Sequence, residues 1–302
     1  MEEMFKIDSV SQYNSIVGVE TLHPMISVID VSKSNSIAKK YKGRMYFGIY
    51  AIYLKDVKCG DFKYGRHNYD YQEGTIVCIS PGQVLTIEET KEEYQPKGWA
   101  LLFHPDFIHG TSLGHQMKNY GFFSYESNEA LHISEQERAT VMDCLLKIEK
   151  ELNHAIDKHT RTLITTNIQL LLDYCLRYYE RQFITRVNVN KDILVRFEKQ
   201  LSAYFQSDKP ETLGLPSVRY FADQLNLSAN YFGDLIKNET GKSAQEYIQL
   251  NLIEIAKERV FDTSKSVSEI AYELGFKYPQ HFSRLFKKCV GYSPNEYREH
   301  HV

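Results

Sequence analysis

Ser217-Val-Arg-Tyr-Phe-Ala-Asp-Gln-Leu-Asn-Leu-Ser-Ala-Asn-Tyr-Phe-Gly-Asp-Leu-Ile-Lys-Asn-Glu-Thr-Gly241 and Ser266-Val-Ser-Glu-Ile-Ala-Tyr-Glu-Leu-Gly-Phe-Lys-Tyr-Pro-Gln-His-Phe-Ser-Arg-Leu-Phe-Lys-Lys-Cys-Val-Gly291 are two versions of one pattern. Ala222 matches Ala271 and Leu225 matches Leu274 at an offset of 49; Phe232 matches Phe282 and Gly241 matches Gly291 at an offset of 50. The second copy therefore carries one extra residue in its turn. In each copy a short amphipathic helix holds a small residue, Ala222 or Ala271, where a second helix must come close. Asn226 or Gly275 then stands where a left-handed backbone suits a tight turn. A longer helix follows, with Phe232, Leu235 and Ile236, or Phe282, Leu285 and Phe286, on its apolar side. This is the pattern of a helix-turn-helix, whose second helix can offer its polar face to a major groove. One such pair is a weak signal. Two copies about fifty residues apart, joined by a helix from Ala244 to Phe261, are a specific one.

Upstream of the duplication, Ser207-Asp-Lys-Pro210, followed by Gly214 and Pro216, reads as a linker after a helix over Lys191–Phe205. Before that helix, Ser134-Glu-Gln-Glu137 has capping-box spacing and opens a run with Val141, Leu145, Ile148 and Leu152 at helical spacing. A second helix contains Leu163, Ile164, Ile168, Leu171, Leu172, Cys175 and Tyr179, which completes a helical hairpin. The first third differs. Met45–Leu54, Thr75–Ile79, Val84–Ile87, Trp99–Phe103 and Tyr120–Phe123 are rich in aromatic and branched residues, and Gly and Pro separate them. Many short strands at close spacing predict a sandwich or barrel of the jelly-roll type. The expected fold is α+β with a β barrel over 1–133, a helical region over 134–206 and an all-α double helix-turn-helix over 207–302.

Residues 217–298 resemble the double helix-turn-helix domain of AraC/XylS-type transcription regulators. Ile270-Ala271 with Gly275-Phe276, Phe282-Ser-Arg-Leu-Phe286-Lys and Gly291-Tyr-Ser-Pro294-Asn-Glu-Tyr297-Arg298 carry the resemblance, over more than a quarter of the chain. The preceding region is similar to the cupin-type sensor domain often attached in that family, on weaker carriers: Ile79-Ser-Pro-Gly82-Gln, Gly98-Trp-Ala-Leu-Leu-Phe-His-Pro105 and Phe122-Phe-Ser-Tyr125. The resemblance implies a sequence-specific regulator that binds double-stranded promoter DNA, with RNA polymerase as a further partner and a small-molecule effector, such as a sugar, in the N-terminal domain. It also implies two recognition helices in successive major-groove segments, roughly 10 base pairs apart. By position, the second helix exposes Gln280, His281, Arg284, Lys287 and Lys288. Arg can fork onto guanine O6 and N7 and Gln onto adenine N6 and N7, so Arg284 and Gln280 are assigned to bases, and Lys287 and Lys288 to phosphate or water. The first helix exposes Ser228, Ala229, Asn230, Tyr231, Gly233, Asp234 and Lys237. Asn230 can read adenine, and Tyr231 can touch a phosphate or a thymine methyl. Asp234 departs from the longer or basic group that many family members carry, which leaves base reading by this helix open.

Charge restricts how such a protein can hold DNA. The 302-residue chain has 36 Lys+Arg against 39 Asp+Glu, a formal net charge of −3. Over 210–302 eleven basic residues face twelve acidic ones, so the domain is not broadly basic. Over Lys277–Lys288 there are four basic residues and no acidic one. Phosphate attraction should therefore be local and salt dependence moderate.

The other classes of function find little support. Met1–Asp8 lacks the basic start and apolar core of a secretion signal, and no apolar run is long enough to span a membrane, so a cytoplasmic protein without a membrane partner is expected. The five cysteines are scattered and never paired as CxxC, as for small buried residues in a reducing compartment. Cupin metal sites usually need two closely spaced His, a carboxylate and a further His. Here His67 is followed by Asn68, Tyr69 and Asp70, His104 and His109 flank Pro105, and His115 follows Gly114. No metal, cofactor or catalytic constellation is expected, and there is no GxSxG, HExxH or phosphate-binding glycine loop. The reading from a different class is a small-molecule-binding or metal-dependent cupin enzyme with a helical interaction domain. Tyr46, Tyr50, Tyr53 and Trp99 either line a ligand pocket or belong to ordinary β core. The hairpin over 135–182 either forms a homodimer and couples the domains, or caps the barrel.

Overall fold

The computed structural model describes residues 4–35, 43–55, 74–87, 97–125, 129–185 and 187–300. The chain forms two compact units, Met1–Thr185 and Arg186–Val302. The first mixes sheets and helices, and the second is helical, so the fold is α+β.

In the first unit, β1 (Phe5–Ile7), β3 (Gly43–Phe47) and β6 (Val84–Ile87) make one sheet, with β1 parallel to β3. β2 (Ile26–Asp30), β7 (Gly98–Phe103), β4 (Tyr50–Lys55), β5 (Thr75–Ile79) and β8 (Leu131–His132) make a second, antiparallel sheet in that order. The apolar layer between the sheets contains Ile7, Met45 and Phe47 from the first and Ile29, Ala51, Val77, Ile79, Ala100 and Leu102 from the second. Helix α1 (Val10–Val17) contributes Val10, Tyr13 and Ile16 to the same layer. All five residues of β5 are buried, since helices cover its other face. Such a strand reads as a continuous apolar run.

The run expected as one strand over Met45–Leu54 is two strands in different sheets. The chain changes sheet at Gly48, whose N–H donates to Ile7 O at 2.7 Å. A Cβ there would lie 2.8 Å from Asp8 Oδ1. Tyr120–Phe123 is a second correction: Gly121–Ser124 is a 3-10 turn rather than a strand. Its aromatics are held by packing instead of a ladder. The Tyr120 hydroxyl donates to Asp173 at 2.7 Å, and Phe122 stacks on Tyr179 at 5.3 Å. Between β7 and β8 the chain also makes the short helices α2 (Pro105–Ile108) and α3 (Ser112–Gln116).

The hairpin α4 (Glu135–Leu152) and α5 (Thr160–Thr185) follows. The Ser134 capping box forms in full: the Ser134 N–H donates to Glu137 Oε2 at 2.8 Å, and the Glu137 N–H donates to Ser134 Oγ at 3.3 Å.

The second unit opens with α6 (Val187–Gln206) and the short α7 (Lys209–Leu213). The polar stretch 207–210 thus joins two helices of the same unit. Then come α8 (Val218–Leu225), α9 (Ala229–Thr240), α10 (Ala244–Val260), α11 (Val267–Glu273), α12 (Pro279–Val290) and α13 (Pro294–His300). No helix of the described residues is long and apolar enough to cross a membrane.

Candidate nucleic-acid interface

The sequence duplication recurs as a duplication of hydrogen bonds. Ser217 and Ser266 cap α8 and α11, accepting from the N–H groups of Tyr220 and Glu269 at 3.1 and 3.2 Å. Each such bond satisfies a donor that the helix itself cannot. After α8 the Leu227 N–H donates to Ala222 O at 2.9 Å, and after α11 the Phe276 N–H donates to Ala271 O at 2.9 Å. The chain reverses through Asn226 (φ 57°) in one copy and Gly275 (φ 92°) in the other. Gly241 and Gly291 end α9 and α12 in the left-handed region, donating to Lys237 O and Lys287 O at 2.9 Å. Both are then followed by a serine–glutamate cap, Ser243–Glu246 and Ser293–Glu296. Two helix-turn-helices of the same construction are therefore present.

Each recognition helix is held from behind by aromatic rings. Phe282 and Phe286 are fully buried, with Phe282 5.4 Å from Phe276 and Phe286 5.4 Å from Tyr297. Phe232 is fully buried, 5.0 Å from Phe197 of α6. Opposite these rings on α12, Gln280, Arg284 and Lys287 are exposed at i, i+4 and i+7, and His281 and Lys288 flank them. Pro279 starts this helix, where its fixed φ fits and no N–H is needed. The same stripe on α9 reads Asn230, Asp234, Lys237: Asn230 and Lys237 are exposed and Asp234 is half-buried.

Three expected contacts stand differently in the fold. Tyr231, expected on the exposed face, is 4% exposed and packs inward. The ring follows the buried Phe232–Leu235–Ile236 side because its position borders that face. Ser228 is half-buried, and its hydroxyl accepts from the Tyr231 N–H at 3.1 Å, so it caps α9. Lys287 Nζ lies 3.6 Å from Glu296 Oε2. Glu296 lies within the Gly291–Arg298 signature, where Ser293-x-x-Glu296 repeats the capping-box spacing of Ser243-x-x-Glu246 at an offset of 50.

The four aromatic residues proposed for a pocket do not converge. Tyr46 stands on the side of β3 away from Met45 and Phe47, outside the inter-sheet layer. Tyr53 packs into that layer, where its hydroxyl donates to that of Tyr13 at 2.9 Å. Burial pushes the Tyr13 hydroxyl up to about 12 and that of Tyr53 well above its ordinary value. Tyr50 and Trp99 share the other face of their sheet, but lie against Phe103 and Leu54, at opposite ends of β4. Tyr50 also stacks on Phe103 at 4.9 Å. Side chains alternate across a sheet, and parity alone could not say which face turned inward.

His104 Nδ1 accepts from the Asp106 N–H at 3.2 Å and so caps α2, and His109 Nδ1 lies 3.2 Å from Asp106 Oδ1. His67 and Asp70 lie outside the described residues. Among the described residues no group of three or more His, Cys, Asp and Glu is gathered for a metal. Cys78, Cys144 and Cys175 are buried free thiols, and Cys289 is an exposed one.

Residues 221–300 match the protein family described as "Helix-turn-helix domain". The chain is 25% identical over 230 residues to the probable transcriptional regulator LumQ of Photobacterium leiognathi, covering 75% of this chain and 83% of that one. It is 35% identical over 101 residues to the HTH-type transcriptional activator RhaS of Enterobacter sp. (strain 638), covering 33% and 35% of the two chains. The chain is a DNA-binding transcription regulator with a helix-turn-helix domain over residues 221–300. This regulator spans most of LumQ but only about a third of RhaS. Among solved structures, ToxT from Vibrio cholerae aligns over 91% of this chain and 98% of its own at 12% identity and a TM-score of 0.30. The C-terminal domain of AraT, a response regulator from Geobacillus stearothermophilus, aligns over 36% and 86% at 29% identity and a TM-score of 0.33.

Proposed function

We propose that this regulator docks α9 and α12 into successive major-groove segments of promoter DNA. The observation that carries this is the repeated construction, which puts two polar helix stripes on two equivalent supports. In this reading Arg284 and Gln280 read bases, Lys288 meets phosphate, and His281 borders the groove. Asn230 reads adenine and Lys237 approaches the backbone at the end of α9. Asp234 occupies the place equivalent to Arg284 and leaves the first helix with weaker readout, so α12 supplies more of the affinity. Selection of bound genomic fragments with the full chain, followed by Arg284→Ala, tests the assignment. Loss of the Arg284 side chain should cost about 1–3 kcal/mol at the selected site and relax one base position. An equal loss on random duplex would reduce Arg284 to a phosphate contact.

The first unit is proposed as a cupin-like sensor for a small polar effector, with the Tyr13–Tyr53 hydroxyl pair as a polar feature of the inter-sheet layer. Repeating the fragment selection with candidate effectors tests it, and an effector acts only through different affinities for two states. RNA polymerase is the partner such a promoter-bound regulator would meet.

The hairpin is proposed as the homodimer contact. Leu163, Leu170 and Tyr174 lie at i, i+7 and i+11 on the solvent side of α5, and the two leucines are 49% and 41% exposed. A bivalent protein gains effective concentration on paired sites. Leu170→Glu should turn a dimer into a monomer in sedimentation equilibrium, with unit folding intact. A parent chain that is monomeric at tens of micromolar concentration would sink this contact.

A further inference from the structure

The cation near the end of α12 has a carboxylate set beside it by the next helix. At the end of α12, Lys287 Nζ is 3.6 Å from Glu296 Oε2. The same Oε2 accepts from the Ser293 N–H at 2.6 Å, so the cap fixes where the negative charge sits. Glu246 repeats the cap, fifty residues earlier. Its Oε2 accepts from the Ser243 N–H at 2.9 Å and from the Ser243 hydroxyl at 2.8 Å. Helix α10, which carries it, packs against both recognition helices. The Glu246 carboxyl is held below its usual range, first by its bonds to Ser243 and then by the charges of Lys288 and Lys237. That of Glu296 is lowered by its bonds to Ser293 and then by Lys287.

A lysine at this place would otherwise be free to meet phosphate, the sequence-independent part of DNA binding. A carboxylate fixed by its helix cap does not need to be ordered for the pairing, which lowers the entropy cost of an exposed ion pair. We propose that Glu296 is a positioning residue that holds Lys287, near the end of α12, in an intramolecular pair and so limits the phosphate contacts the protein makes. This gives the near-neutral domain a device against indiscriminate binding. It rests on docking through α9 and α12.

The test uses Glu296→Gln in the full chain. Gln also serves at the third position of a capping box, so the charge goes while the cap stays. Binding to a random-sequence duplex is followed by fluorescence anisotropy between 50 and 200 mM salt. One freed lysine should steepen the salt slope by about 0.9, so that affinity falls about threefold more over this range than for the parent. Adding Lys287→Ala to Glu296→Gln should restore the parent slope. An unchanged slope in Glu296→Gln would overturn the proposal. So would a steeper slope that survives Lys287→Ala, because the carboxylate would then act on the general field rather than through its lysine. A parent chain that binds no duplex at all would overturn the docking and this assignment with it, an outcome distinct from either of the others.

Discussion

Replacing Phe197 by Ala should cost the second unit about 3–5 kcal/mol, the range for emptying a buried aromatic site. Phe197 is fully buried. Its ring meets Phe221 at 5.1 Å, Phe232 at 5.0 Å and Tyr247 at 5.6 Å. It therefore touches the first helix of the first helix-turn-helix, the recognition helix and the joining helix at once. These neighbours belong to three different elements, so they cannot close the void without moving α9 relative to α8. A domain of ordinary stability has about 5–15 kcal/mol to lose. Urea denaturation of the full chain, followed by a signal from the second unit, should show a midpoint well below the parent's at unchanged slope. Phe261→Ala is the comparison, because that ring is 40% exposed and its loss should matter far less. A Phe197→Ala midpoint within the error of the parent's would show that α6 is not part of this core. Phe197 lies upstream of the matched residues 221–300, and its role is visible only once the helix that carries it is in place.

The duplication was legible because its signals are local. A cap, a small residue and a left-handed turn each act within a few residues, so their chemistry recurs at fixed offsets: Ser217 and Ser266, Ala222 and Ala271, Asn226 and Gly275. The side-chain stripe of α12 was equally readable, since Phe282 and Phe286 fix which side is buried and Gln280, Arg284 and Lys287 must then face away. Tyr231 was not readable in this way. It sits at the border of the apolar face, where packing by neighbouring helices decides between inside and outside. The strands were legible as strands, but not their sheets. Met45–Leu54 is one apolar run, and it divides at Gly48, where the backbone meets Ile7 and Asp8, neighbours distant in sequence. Tyr120–Phe123 failed for a related reason: aromatic content marks burial, and a turn can bury rings as well as a strand can. The four pocket aromatics failed because they belong to three different faces, and no pattern within a strand reports which face another sheet will cover.

Gly275→Ala should cost about 2–5 kcal/mol, and it should disturb the second recognition helix more than the first. Two terms add. A φ of 92° lies where a side chain is strained, by roughly 1–2 kcal/mol. An added Cβ would also stand 2.8 Å from Gly214 C and 2.9 Å from both Gly214 O and Pro210 O. These are backbone atoms, so no side chain can swing aside, and overpacking of this kind costs about 1–3 kcal/mol. Nor can the segment 205–214 retreat freely. The Tyr204 hydroxyl donates to Gly214 O at 2.8 Å, and Arg259 Nη2 donates to Phe205 O at 2.9 Å. Arg259 also lies 3.7 Å from Glu273 at the end of α11. The strain must therefore be relieved by moving the turn between α11 and α12, which changes the angle at which α12 leaves its support. The equivalent Asn226 has a φ of 57°, which Asn adopts with little penalty, and it is exposed. Asn226→Gly should accordingly be close to neutral in stability and in binding. Footprinting on a selected genomic fragment, at a temperature where Gly275→Ala is still folded, should show the α12 segment unprotected while the α9 segment keeps a weakened footprint. A folded Gly275→Ala protein with both segments protected as in the parent would show that the contact with Gly214 does not set the position of α12.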